Sequence, residues 1–298
     1  MIDRLSRALH PARGLRALVV HVGDIARMTR LLHGLAPTSA QLFGEGLAAA
    51  ALVGALQKDE ERINLQLECS GPLRGLFVDA DPAGNLRGYV RGADVDLPGQ
   101  PSAAAIASLG GGGFLSMLRV RANGTFYRSS VELRRERLAG ALRRWFKASE
   151  QVETALALEV LPRGEEPLGL VAGLLVQRLP GGDAAAVAAA RDAIGAGAFA
   201  EALGSGAPAL ALVQAVAGEG WELLAEQEVA YRCGCGVERV RNAVTALGAD
   251  GIADLVVTVG RAEVDCEFCH AHYLLEADEL RELERRLRQA ESKRGGEG

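Results

Sequence analysis

Residues 63–70 read Ile-Asn-Leu-Gln-Leu-Glu-Cys-Ser. Apolar side chains stand at 63, 65, 67 and 69 and polar ones between them, the period of two that a half-buried strand requires. Gly71-Pro72 turns the chain into a second strand, LRGLFV at 73–78. The run DADPAGN at 79–85 turns it again, and LRGYVR supplies a third strand. This is an antiparallel meander. Outward from it, residues 15–22 (LRALVVHV) predict a strand. Residues 38–57 predict a helix, with Leu42, Ala49, Leu52, Val53 and Leu56 along one face. Two strands, 114–121 and 125–133, flank the hairpin turn Asn123-Gly124. A helix near 136–147 carries Leu138, Ala141, Leu142 and Trp145 on one side, and strands follow at 152–160 and 169–178. The expectation for residues 1–180 is an α+β domain, an antiparallel or mixed sheet with helices packed on it.

The composition changes at Pro180. Residues 181–220 contain sixteen alanines and eight glycines but only five charged residues. Alanine favours helix, glycine opposes it, and large apolar anchors are sparse. Such helices are held mainly by docking onto a neighbour. The segment reads either as a metastable helical linker or as an ordinary helical hairpin. The remainder, 221–298, is expected to be a small separate domain, ending in a charged helix near 276–291 and a disordered tail, SKRGGEG. It holds ten Lys+Arg against sixteen Asp+Glu, so it carries the negative charge of the whole chain, net -5. That sign argues against nucleic acid as a partner. The start, Met1 to Arg16, mixes charges and has no secretory apolar run. The uncharged stretches 102–118 and 202–218 are interrupted by glycines, which argues against a membrane span. A cytoplasmic location is expected.

Four of the five cysteines fall in two close pairs, Cys233-x-Cys235 and, after thirty intervening residues, Cys266-x-x-Cys269. Four thiolates make a complete tetrahedral set for zinc, and paired cysteines of this kind in a reducing compartment are metal ligands or redox groups. A turn is expected at Gly234 and Gly236, where glycine permits it, to bring Cys233 and Cys235 onto one metal. Between the pairs, Glu238 to Leu247 predicts a helix and Asp254 to Val259 a strand. Three readings stand at this point: a static structural zinc ribbon that binds a partner, a Cys-x-x-Cys thiol oxidoreductase using Cys266 and Cys269, and a redox switch. A Cys-x-Cys disulfide closes a very small ring and is easily reversed, which favours the switch. Cys69 lies on the apolar face of its strand, the place of a core residue. His270 and His272 follow Cys269 and are alternative ligands, although four cysteines already fill the shell. His10, His21 and His33 are isolated, and Gly110 to Gly113 lacks the Lys-Ser/Thr of a phosphate loop. No nucleophile–base set is visible, and the chain is not expected to be an enzyme.

The words around these residues carry a resemblance. CGCGVERV and VDCEFCHAHYLL surround the two cysteine pairs. INLQLECSGPLRGL followed by LRGYVR forms the meander, and LAGALRRWFKASEQVETALAL contains Ser149-Glu150-Gln151. VAGLLVQRLP closes the first domain. Over nearly its whole length the sequence resembles the bacterial thirty-three-kilodalton chaperonin family, the redox-regulated heat-shock holdases. The resemblance implies one Zn2+ per chain on Cys233, Cys235, Cys266 and Cys269 in the reduced, inactive state. It implies oxidation to Cys233–Cys235 and Cys266–Cys269 disulfides with loss of zinc, unfolding of the small domain and the linker, ATP-independent binding of unfolded client proteins, and a homodimer when oxidised. Two stretches depart from the family pattern: WELLAEQEV at the end of the linker, and Tyr127-Arg128-Ser129 in the sheet.

Overall fold

The computed structural model describes residues 3–58 and 61–295. The chain divides into two compact units, Met1–Arg232 and Cys233–Gly298. The first begins with β1 (Arg4–His10), β2 (Leu15–His21), α1 (Gly23–Leu32) and α2 (Pro37–Gly54), and continues through the meander β3 (Arg62–Cys69), β4 (Gly75–Ala80) and β5 (Asn85–Val90). Then come α3 (Pro101–Leu109), the hairpin β6 (Gly113–Val120) and β7 (Phe126–Glu132), α4 (Leu138–Trp145), and the long hairpin β8 (Thr154–Arg163) and β9 (Glu166–Arg178). Three helices follow, α5 (Ala184–Gly195), α6 (Ala198–Gly204) and α7 (Ala209–Ala217), and the unit ends with β10 (Glu222–Glu228) and β11 (Ala230–Tyr231).

These strands build two sheets where the sequence suggested one. The five-stranded sheet has the order β10-β1-β2-β9-β8, and the six-stranded sheet the order β11-β5-β4-β3-β6-β7. All neighbours are antiparallel except β11, which runs parallel to β5. Helix α2 lies between the sheets and touches β2, β8 and β9 of one and β3, β4 and β5 of the other. Sixteen of its residues are buried, so the expected single apolar face gives way to burial all round. Its small residues make the close approach possible. A side chain at Gly54 would bring Cβ to 2.8 Å from Ala80 Cβ, and one at Gly46 would bring it to 3.0 Å from Leu76. In β3, Ile63, Leu65 and Leu67 face this core. On the other side of the same sheet Asn64 donates to Asp79 at 2.6 Å, and Asp79 pairs with Arg87 at 2.7 Å.

The central strands of the five-stranded sheet, β2 and β9, are buried on both faces, which is why β2 reads as a nearly unbroken apolar run. Leu18 and Val20 join the α2 core, while Leu15, Ala17 and Val19 join a second core under α5, α6 and α7. Asp183 starts this helical segment by accepting from Ala185 N (2.9 Å) and Ala186 N (3.1 Å). Val187, Phe199, Leu203, Leu212, Val213 and Val216 are buried against the sheet, and Ile194 and Leu210 are half-buried beside them. The compact units divide at Arg232/Cys233 and not at 220/221, because β10 pairs with β1 and β11 with β5.

The second unit contains α8 (Val237–Thr245), α9 (Gly248–Thr258), the hairpin β12 (Arg261–Asp265) and β13 (His272–Glu276), and α10 (Ala277–Gly295). The strand expected at 254–259 is the end of α9. Leu255, Val256 and Val257 suit either state, but Ala249, Ile252, Leu255 and Val256 fall at helical spacing on the packed side, and Val257 is left exposed. Helix α10 runs on into the expected tail as far as Gly295, and the last residues of that tail, 296–298, lie outside the described residues. Among the described residues no helix is long and apolar enough to cross a membrane.

Candidate metal centre

The hairpin β12–β13 presents one cysteine pair. Its register sets Asp265 opposite His272 and Val264 opposite Tyr273, so Cys266 to Ala271 form the tip. His270 N donates to Cys266 O at 2.8 Å and Cys266 N to Ala271 O at 3.0 Å, which fold Cys266 and Cys269 back towards each other. His270 closes the turn in the left-handed region, φ 54°. The other pair precedes α8. Gly236 caps that helix in an extended conformation, φ 175° and ψ 163°, and Gly234 is not among the residues with positive φ. The expected glycine turn is therefore not how this pair converges. Neither glycine takes up the left-handed conformation that glycine alone adopts readily.

All four sulfurs lie within 4.8 Å of one another. Cys233 Sγ is 3.6 Å from Cys266 Sγ, and Cys235 Sγ is 3.3 Å from Cys269 Sγ. A tetrahedral zinc with Zn–S bonds of about 2.3 Å sets its sulfurs roughly 3.8 Å apart, so the cluster has the size and donor set that a thiophilic metal requires. Among the described residues, no other group of His, Cys, Asp or Glu ligand atoms comes together in this way. His270 and His272 are not in the group. His272 Nδ1 lies 2.8 Å from Asp265 Oδ1, turned to its cross-strand neighbour. Cys69 belongs to the first unit, half-buried against its core, where burial pushes its thiol up.

The four thiols are not equivalent. The Tyr273 hydroxyl donates to Cys235 Sγ at 3.0 Å and brings the Cys235 thiol down to about 7. Burial pushes Cys269 up to about 12 and raises Cys233 as well. Tyr273 itself is raised to about 12 by the bond that it gives. The sequence reading missed Tyr273. It stands four residues beyond Cys269 with no marker of its role, and only the hairpin register aims it at a sulfur. Thiolate is the form that ligates metal and attacks oxidants, so Cys235 is the sulfur in this group readiest for either.

A family model described as Hsp33 protein matches residues 3–276, which include both sheets, the helical segment and all four cysteines. The chain belongs to the Hsp33 family. The chain is 33% identical over 288 residues to a 33 kDa chaperonin of Pelobacter propionicus, covering 95% of this chain and 94% of the relative. It is 32% identical over 297 residues to one of a Picosynechococcus species, covering 97% and 99%. The crystal structure of the 33 kDa chaperonin of Thermotoga maritima superposes with a TM-score of 0.83 at 25% identity, covering 96% of this chain and 98% of that one. Hsp33 proteins are chaperones, not in general enzymes, and a chaperone role follows for this chain. The Hsp33 resemblance read from the cysteine words and the meander is thus borne out along nearly the whole chain, as is the α+β class with its C-terminal cysteine cluster.

Proposed function

We propose that this protein is a redox-regulated, ATP-independent holdase of the bacterial cytoplasm, held inactive while Cys233, Cys235, Cys266 and Cys269 bind one Zn2+. The observation that carries the reading is the convergence of four sulfurs in a unit with little other core. The bound metal supplies folding free energy to that unit, on the order of 10–16 kcal/mol for structural zinc in peptides of this size class. Oxidation removes the ligands. Each pair gives two electrons to a peroxide-class oxidant, which is reduced to water, and one sulfur–sulfur bond forms per pair, Cys233–Cys235 and Cys266–Cys269. In the assembled site sulfurs of different pairs lie as close as 3.3 and 3.6 Å. Bonds within the pairs therefore dismantle the site, and disulfide sulfurs offer no thiolate to a metal.

The second unit then loses its organiser and unfolds. The helices α5, α6 and α7 follow, because their anchors are few and their hold on the five-stranded sheet is their main support. The apolar face that they leave, with Leu15, Val19, Leu174 and Val176, binds unfolded clients, and the oxidised chains associate as a homodimer. The test is a client-aggregation assay on reduced and peroxide-treated protein, with metal release followed in the same sample. Suppression by the oxidised form alone, in step with release of one zinc per chain, is the expected result. Equal suppression in both states would leave a constitutive binder with a static zinc ribbon, and turnover of a dithiol substrate would leave an oxidoreductase.

A further inference from the structure

A cleft of about 310 Å³ opens at the C-terminal end of α2, with both sheets of the first unit contributing to its wall. Arg16 of β2 lines it, and the environment of that arginine is unusual. The Gln177 side chain, 1% exposed, gives its amide nitrogen to Thr154 Oγ1 at 2.9 Å. This fixes the amide oxygen, which accepts from Arg16 Nε at 3.1 Å and from Nη2 at 2.7 Å. The guanidinium is thus held rigidly by a neutral group. Among the described residues it has no carboxylate partner. Burial pushes the Arg16 guanidinium down, the expected consequence of a cation withdrawn from water with no anion beside it. The contrast with Arg137 in the same unit is direct: that guanidinium bonds Glu159 at 3.1 Å, Glu45 at 3.2 Å and the Leu158 carbonyl at 2.7 Å.

The rest of the wall extends the argument. Lys58 lines the cleft and also has no carboxylate partner among the described residues. The two acids that line it are already engaged, Glu150 with Arg119 at 2.7 Å and Glu61 with Arg121 at 3.7 Å. Glu150 ends a π turn, Phe146–Glu150, and Gln151 leaves it in the left-handed region at φ 56°. Turns of this kind recur at functional sites. Glu150 of the Ser149-Glu150-Gln151 word therefore lines the cleft, and Leu56, Trp145 and Phe146 supply apolar wall.

We propose that this cleft binds a small phosphate monoester carrying an apolar group, with Arg16 and Lys58 taking the oxyanion and the Leu56–Trp145–Phe146 wall taking the remainder. Gln177 spends two of the five guanidinium N–H groups, so three remain, and with an ammonium they suit an acceptor with several oxygens. All these residues lie in the first unit, so the site stands independently of the redox reading.

The probe is phenyl phosphate, titrated into the full-length reduced protein carrying Trp221→Phe, so that Trp145 fluorescence reports the cleft alone. Calorimetry is run in parallel. Saturable binding with a Kd below about 1 mM is expected. Lys58→Gln, at an exposed position beyond the end of α2, and Arg16→Gln should each weaken it by about tenfold or more, while Arg163→Gln should not change it. Absence of saturation by about 10 mM, or an unchanged Kd in the Lys58 and Arg16 variants, overturns the site. Equal affinity for phenylacetate overturns the phosphate assignment, and equal affinity for inorganic phosphate overturns the role given to the apolar wall.

Discussion

In the first unit a helix is enclosed by two sheets, and one continuous core runs from Leu5 to Val229. Among the described residues of the second, three helices and a two-stranded hairpin bury seven apolar residues: Val240, Val244, Ala249, Ile252, Ala262, Leu275 and Leu280. Chains of the second unit's length rarely obtain more than about 3–5 kcal/mol from a single hydrophobic core. The same polypeptide therefore contains a region with a large core and a region with a small one, and it is in the second that the four sulfurs meet. The difference teaches where a switch can be built. On the proposed function, a stimulus that removes a few ligand bonds unfolds the second unit while leaving the first unit's core as it was.

The largest expected effect tests that contrast. Chelating the metal from the reduced protein, or Cys269→Ala, should abolish amide protection throughout 237–276 while α2 and β3 keep theirs, a difference on the order of 10 kcal/mol between the units. Hydrogen exchange read by mass spectrometry measures it. Retained protection in α8 and β13 after chelation would show that the small core suffices and would break the comparison.

The next effect falls in the first unit. Glu45 is fully buried in α2 and its ionised form is disfavoured by that burial, with Arg137 as its compensating charge at 3.2 Å. Arg137→Met should lower stability by about 3–5 kcal/mol, because it leaves a buried carboxyl without its partner. Adding Glu45→Gln should recover part of the loss. Metal content should be unchanged in both variants, as measured by atomic absorption alongside thermal melts. Loss of metal in Arg137→Met would mean that the two units are not separable in stability.

Phe199→Ala removes the largest buried side chain of the helical segment α5–α7. A cost of about 3 kcal/mol is expected. It should appear as faster exchange across 184–217 in the reduced protein, with β3 unaffected. Exchange that rises equally in β3 would make these helices part of the first unit's cooperative core and not a detachable layer on it.

The smallest effect is set by pH. The Asp3 carboxylate accepts from Asp24 N at 3.0 Å and from Ile25 N at 2.7 Å, capping α1, yet burial raises its pKa from 3.8 to about 6. The folded state therefore holds the proton more tightly than the unfolded one. This contribution to stability is complete below 3.8 and is lost as pH rises through about 6. Relative to Asp3→Asn, the natural protein should lose on the order of 2 kcal/mol between these limits. Urea melts at a series of pH values, following the first unit, measure the difference. A gap that widens in favour of the natural protein as pH rises would reverse the sign and show that the two N–H bonds outweigh burial.

Much of this was legible in the residues alone. The alternation at 63–70 fixed which side of β3 faces the core, because successive side chains of a strand must point opposite ways. The spacing of Cys233, Cys235, Cys266 and Cys269 pointed to one cluster able to hold a metal, because four thiolates suit a soft tetrahedral ion, and the fold does bring the four sulfurs within 4.8 Å of one another. Periodicity, however, tells a strand that it has an inner face, not which sheet it will join. That β1 pairs with β10, more than two hundred residues later, and that α2 is wrapped by two sheets were decided by burial summed over distant segments. The run Leu255-Val256-Val257 was free to be strand or helix until Ile252 and Ala249 found a core at helical spacing. Tyr273 reached Cys235, and Arg16 was left with a neutral amide for a partner, only through register and packing. Local pattern sets what each segment can bury; which distant groups it then meets is a property of the folded chain, since those contacts gain free energy only once the segments between them have been ordered.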